Sequence, residues 1–267
     1  SYELVESFVH RAESCGHKAI VLTLDTTTLG WRSLDLGNGF LPFMHGMGIA
    51  QYTSDPVFNK MLDNEQKFKN RGKWTWQMGR NVLSMFRNYP GGLLSNLISQ
   101  RPSLAVKKFI DIYSKPDLNW NDIKWLKSIT HLPIILKGIL HPEDALKAMD
   151  LGIDGIIVSN HGGRQVDKVI SSLKALRHIK NVLPDDYPIL LDSGIRNGSD
   201  VFIALALGAK AVLIGRPYVY SMSLNGSAGV KNLMLNISSE LEITMQLCGI
   251  SDVRQITPDC LNEIRFN

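Results

Sequence analysis

The stretch Gly155-Ile-Ile-Val-Ser-Asn-His161 decides how this sequence folds. Its apolar residues are consecutive and β-branched rather than alternating with polar ones. A run of that kind is a strand buried on both faces, as in a parallel sheet covered by helices. It ends in Ser159 and His161, so chemistry sits at the strand's C-terminal end. Four other runs share the design: Lys18 to Asp25 (KAIVLTLD), Pro133 to Gly138 (PIILKG), Pro188 to Gly194 (PILLDSG) and Ala211 to Arg216 (AVLIGR). Helical segments lie between them. Glu143 to Leu151 follows Pro142, carries acidic residues in its first turn and stops at Gly152; Val201 to Leu207 stops at Gly208. This βαβα alternation predicts an α/β fold with a parallel sheet.

Polar residues gather at the ends of all five runs: Thr23 and Asp25, Lys137, Ser159 and His161, Asp192, then Gly215 and Arg216. A TIM (β/α)8 barrel carries its active site on that rim, whereas a doubly wound sheet concentrates ligand residues at one switch point. The distribution favours the barrel. Eight strands close such a barrel, so these five read as about strands 4–8, with roughly three β/α units missing. An amphipathic helix, Tyr2 to Ser14, with Leu4, Val5, Phe8 and Ala12 on one face, comes before the first run. The chain is therefore expected to be a fragment, a truncated homologue or one piece of a nicked protein. It reads as one domain over residues 1–267, with a lid-like insertion at about 34–119. That insertion holds Trp74, Trp76, turns at Tyr89-Pro90-Gly91-Gly92 and Lys115-Pro116-Asp117, and a basic cluster around Lys67 to Arg80. Its aromatic and methionine residues read mainly as local packing, and Ser103 to Tyr113 should be helical.

Composition narrows the function classes. The chain is 44% hydrophobic and 20% charged over 267 residues, enough to build a core without a metal or disulfide staple. Lys and Arg exceed Asp and Glu by 29 to 25. That excess is too small for nucleic acid but suits small anionic ligands. Cys15, Cys248 and Cys260 have no metal-ligand spacing and read as reduced thiols of a cytoplasmic protein. No run reaches the length of a membrane span, and the first residues do not form a signal peptide.

Four motifs recur in barrel order: Leu136-Lys137-Gly138, Ser159-Asn160-His161-Gly162-Gly163-Arg164, Asp192-Ser193-Gly194-Ile195-Arg196 and Ile214-Gly215-Arg216-Pro217. In this combination the sequence, from Ser1 to about Asp259, resembles the FMN-dependent α-hydroxy-acid dehydrogenase family. The segments LDTTTLGWR at 24–32 and GIAQYTSDP at 48–56 resemble its lactate-monooxygenase branch. The resemblance implies FMN as cofactor and a small L-2-hydroxy acid, lactate first, as substrate. It also implies molecular oxygen as acceptor and a homo-oligomer, often a tetramer. Association with a missing N-terminal segment is the other expected partnership.

Each site residue has a functional and a plainer reading. His161 reads as the base that takes a proton while two electrons reach the flavin; a lone histidine would more often be satisfied by backbone. Asp25 is implied to orient the imidazole. Arg164 and Arg32 can fork a carboxylate in bidentate fashion, or be surface charges. Lys137 is implied to face the flavin N1–C2=O edge, with a salt bridge to Asp192 as the alternative. Asp192, Ser193, Gly194, Ile195, Arg196, Gly215 and Arg216 read as the FMN phosphate site, on the loops after the last two strands. Thr23 and Ser159 read as hydrogen-bond partners of the isoalloxazine, or as strand-end caps. Two rivals stand beside this reading: another FMN barrel such as a type 2 isopentenyl-diphosphate isomerase, which the His-Gly-Gly-Arg run disfavours, and an inactive homologue or subunit of a split enzyme.

Overall fold

The computed structural model describes residues 1–65 and 76–261, without the side chains of residues 34, 36 and 76–78. Trp74, the Trp76 side chain and most of the basic cluster around Lys67 to Arg80 lie outside the described residues. The chain divides into two compact units: residues 1–18 with 27–131, and residues 19–26 with 132–267.

The first unit is helical. It holds α1 (Tyr2–Ser14), α2 (Ser33–Asn38), α3 (Ala50–Thr53), α4 (Pro56–Asp63), α5 (Trp76–Asn88), α6 (Leu93–Ser99), α7 (Arg101–Ile112) and α8 (Trp120–Ser128). The stretch expected as a lid-like insertion thus builds helices with a core of their own. Phe58, Leu62, Leu104 and Ala105 are buried together with Leu4 of α1, and Phe8, Tyr52 and Phe109 pack against them. Leu4 and Val9 are the buried residues of α1, while Val5, expected on its inner face, is exposed. Asp55 organises this unit. Its side chain caps α4 by accepting from Val57 N and Phe58 N at 2.9 and 3.1 Å. Its other oxygen accepts from Ser7 Oγ at 2.8 Å and Arg11 Nη1 at 3.0 Å, which ties α4 to α1. Burial opposes ionisation of this carboxyl, but the Ser7, Arg11 and backbone donors hold its pKa below the usual range.

The second unit holds the sheet. Its strands are β1 (Ile20–Thr23), β2 (Ile134–Ile139), β3 (Gly155–Val158), β4 (Ile189–Leu191) and β5 (Ala211–Val212). They pair in sequence order, and every pair is parallel. Helices α9 (Pro142–Asp150), α10 (Ser172–Lys180) and α11 (Gly198–Ala206) follow β2, β3 and β4, so each crossover is a β/α unit. Ile156, Val158, Ile189 and Leu136 are fully buried, with Ala145, Ala148, Ala175 and Leu176 of the covering helices. Burial is not uniform across the sheet. All four residues of β3 are buried, whereas Val21 of β1 is 49% exposed and Ala211 of β5 is exposed. The expectation of two-sided burial therefore holds for the middle strands and fails at β1 and β5, each of which has a strand on one side only among the described residues.

Strand β5 is also shorter than its run suggested, and Arg216 is not at its end. Arg216 opens α12 (Arg216–Leu247), with Gly215 as the residue before the helix and Pro217 in its first turn. Asn225 and Gly226 interrupt α12 with non-helical backbone. Its later part meets α11: Gly198 N donates to Glu240 Oε2 at 2.8 Å, and a Cβ on Gly198 would overlap the backbone of Glu240 and Leu241.

Candidate active site

Parallel pairing brings the C-terminal ends of the strands to one rim, and the register sets which residues meet there. Thr23 pairs with Lys137, and Lys137 with Ile157. The chain then leaves β3 through fully buried Ser159 into a single turn, His161–Gly163, which Arg164 closes. His161 Nδ1 lies 3.1 Å from Asp25 Oδ1. Asp25 Oδ2 is buried and has no hydrogen-bond partner. The other end of Asp25 is anchored by Gln165, whose Nε2 donates to the Asp25 carbonyl at 2.7 Å.

A second cluster lies beside the first. Lys137 Nζ sits 2.9 Å from Asp192 Oδ2 and donates to Ser159 Oγ at 3.0 Å. Ser193 Oγ donates to Asp192 Oδ1 at 2.6 Å. Burial works against ionised Asp192, yet hydrogen bonds from Ser159, Ser193 and Lys137, with the charge of Lys137, hold its pKa below the ordinary carboxylate value. The ion pair with Asp192 is thus what the structure gives Lys137. Likewise the Ser159 hydroxyl, expected on the flavin, accepts from Lys137 and from His161 N at 3.0 Å.

These groups edge a cavity of about 410 Å³. Lys137, His161, Arg164, the whole run Asp192 to Arg196, Gly215 and Arg216 line it; Thr23, Asp25 and Ser159 lie outside its wall. Arg32 belongs to the helical unit, where its Nη1 is 3.9 Å from Asp35 Oδ2. Two supports escaped sequence reasoning. Gln165 follows the His-Gly-Gly-Arg run, but nothing in its type announces a bond to a carbonyl on another strand. Gly138 has φ of 106°, and a Cβ there would come within 2.9 Å of the Asp25 side chain. Its place directly after Lys137 at a strand end was a usable signal for close approach.

A profile of the family described as FMN-dependent dehydrogenase matches residues 1–263. The chain belongs to that family. The chain is 43% identical over 251 residues to an L-lactate oxidase of Lysinibacillus sphaericus (strain C3-41), covering 94% of the chain and 56% of that protein. It is 40% identical over 252 residues to a 2-hydroxyacid oxidase of Dictyostelium discoideum, covering 94% and 54%. Among solved structures it resembles an (S)-mandelate dehydrogenase with a TM-score of 0.73 at 30% identity, covering 98% of the chain and 64% of that one. The flavin-binding domain of baker's yeast flavocytochrome b2 superimposes with a TM-score of 0.68 at 28% identity, covering 97% and 51%. The chain spans about half the length of the curated relatives it matches. Its sheet is part of the α/β barrel of these flavoenzymes.

Family membership makes FMN the cofactor. The residues present fit such a group. A Cβ built on Gly194 or Gly215 meets nothing within 4 Å, so both backbones border open space. Arg196 and Arg216 line the same cavity and supply the positive charge that a phosphate needs.

Proposed function

We propose that the whole protein oxidises a small L-2-hydroxy acid with FMN, with lactate as substrate and dioxygen as the final electron acceptor. The observation that carries the proposal is the His161–Asp25 pair, 3.1 Å apart at the strand-end rim, beside a cavity lined by three arginines. The relatives support it, since two of them are an L-lactate oxidase and a 2-hydroxyacid oxidase.

FMN, when bound, supplies the acceptor for the two electrons that leave the substrate. His161 takes the proton. With Nδ1 facing Asp25, Nε2 is the ring nitrogen left for the substrate, and the Asp25 carboxylate stabilises the imidazolium that forms. Arg164 binds the substrate carboxylate through its planar fork, and Arg32 is the second candidate for that role. Lys137, Thr23 and Ser159 would hold the ring, and Asp192 to Arg196 with Gly215 and Arg216 would hold the phosphate. The balanced oxidase reaction is lactate plus dioxygen to pyruvate plus hydrogen peroxide. In the monooxygenase-like course, retained pyruvate is decarboxylated by that peroxide, giving acetate, carbon dioxide and water. The sequence at residues 24–32 favours this second course.

The first prediction is that His161→Ala in the full-length protein keeps FMN yet slows anaerobic flavin reduction by lactate about 10²- to 10⁴-fold. Reduction at the wild-type rate would remove His161 from the mechanism.

A further inference from the structure

The turn that carries His161 is left-handed throughout: φ is 56° at His161, 65° at Gly162 and 73° at Gly163. A non-glycine residue keeps such a backbone only where its surroundings over-determine it. Two supports come from the turn's own strand end. His161 N donates to Ser159 Oγ, and Gly163 N donates to Asn160 Oδ1 at 3.2 Å. Two more come from the next strand ends, and both fall on one residue, Gly162. Gly162 N donates to Ser193 Oγ at 2.9 Å, and Gly162 O accepts from Arg216 Nη2 at 2.7 Å. Ser193 is itself left-handed, with φ of 73°, and its hydroxyl is fixed by donation to Asp192. Ser193 and Arg216 therefore grip the residue next to the candidate base, while both belong to the loops read as the phosphate site.

We propose that Ser193 and Arg216 are positioning residues: they clamp Gly162 at its N–H and carbonyl, hold His161 against Asp25, and let an anion on Arg216 tighten that hold. A guanidinium offers five N–H donors, so Arg216 can keep one on Gly162 and turn others to a phosphate. Phosphate binding at one end of the site then sets the base at the other. The inference rests on the reading of His161 as base and of the last two loops as phosphate-binding.

The test follows His161 directly. The chain carries 15N-labelled histidine and glycine, and the His161 Nδ1 and Gly162 amide resonances are assigned by substitution. FMN, riboflavin and inorganic phosphate are added as separate probes. FMN and inorganic phosphate should each move both resonances, and riboflavin, which lacks the phosphate, should not. Arg216→Met should abolish the response and Arg216→Lys restore part of it. Ser193→Ala should shift His161 before any probe is added. Arg196→Met removes the same charge from the same cavity, but its guanidinium bonds Ile195 O rather than Gly162, so it should leave the probe-free His161 resonance in place. In the full-length protein Arg216→Met should lower kcat about 10²-fold, the scale of a displaced catalytic group, with a smaller change in KM. The clamp is overturned if FMN and phosphate leave His161 unmoved, if riboflavin moves it as far as FMN does, or if Arg196→Met shifts the probe-free His161 resonance as far as Arg216→Met does. None of these resonance readings uses turnover, so an active His161→Ala protein would refute the proposed function while the clamp stood or fell on its own.

Discussion

Lys137 of β2 and Asp192, directly after β4, meet across the end of β3 at 2.9 Å, each 16% exposed. Taking both from water costs several kcal/mol, which their attraction and three added hydrogen bonds offset. Losing one partner is therefore worse than losing both. Lys137→Met is predicted to destabilise the second unit by about 2–3 kcal/mol, at or just below the lower end of the range for a broken buried pair because both groups keep some water. The pH dependence has a definite sign. Asp192 has a folded pKa below its unfolded one, so its contribution is present above the unfolded value and lost as pH falls through the folded value. Without Lys137 that depression shrinks, and the acid midpoint should move to higher pH; a circular-dichroism acid titration that does not move would contradict it. Sequence reasoning held this pair only as an alternative to a cofactor contact. The reason is physical: the distance between two strand ends depends on register, which local pattern does not contain. The pairing of His161 with Asp25, by contrast, was expected because the family resemblance implies that role for Asp25, which like His161 ends a strand-like run.

At the scale of elements, close contact of backbones decides more than side-chain chemistry. Helix α11 begins at Gly198, where a methyl group would overlap the main chain of α12 at Glu240 and Leu241. Gly198→Ala is predicted to cost about 1–3 kcal/mol, as overpacking does in a filled site, even though alanine is the better helix former. The check is the thermal midpoint; an unchanged or raised value would mean that α12 retreats freely. The sequence placed this helix at Val201 to Leu207, three residues late, because Gly198 reads locally as a breaker. Asn197 caps the helix by accepting from Asp200 N at 2.9 Å, and the Asn-x-x-Asp spacing was a readable sign of it. The helical unit was harder to see for a different reason. Helices α2, α3 and α6 have only 6, 4 and 7 residues, so apolar periodicity averages out in them, although Asp55-Pro56 is a strong start signal for α4.

The whole molecule joins a helical unit with its own core to an all-parallel sheet whose chemistry lies on one rim. The parallel arrangement was readable from composition of the runs alone, since continuous apolar strands demand cover on both faces. The edges were readable too: five runs in consecutive barrel positions leave the first and last, β1 and β5, with a strand on one side only, as they have among the described residues, while β3 is enclosed. Their difference in enclosure has a consequence in time. A backbone amide trades its hydrogen for deuterium only when its bond opens, and opening free energy rises with enclosure. In this chain taken by itself and placed in heavy water, the sheet should therefore label from its margins inward. The amides of Val21 and Val212 should take up deuterium first, and those of Ile156 to Val158 should trail them by orders of magnitude. Mass spectrometry of peptic fragments reads that order; equal rates across the strands would contradict it. Strand β3 would then serve as an internal clock: the moment its mass begins to rise marks the loss of the second unit as a whole, whatever has already happened at its borders.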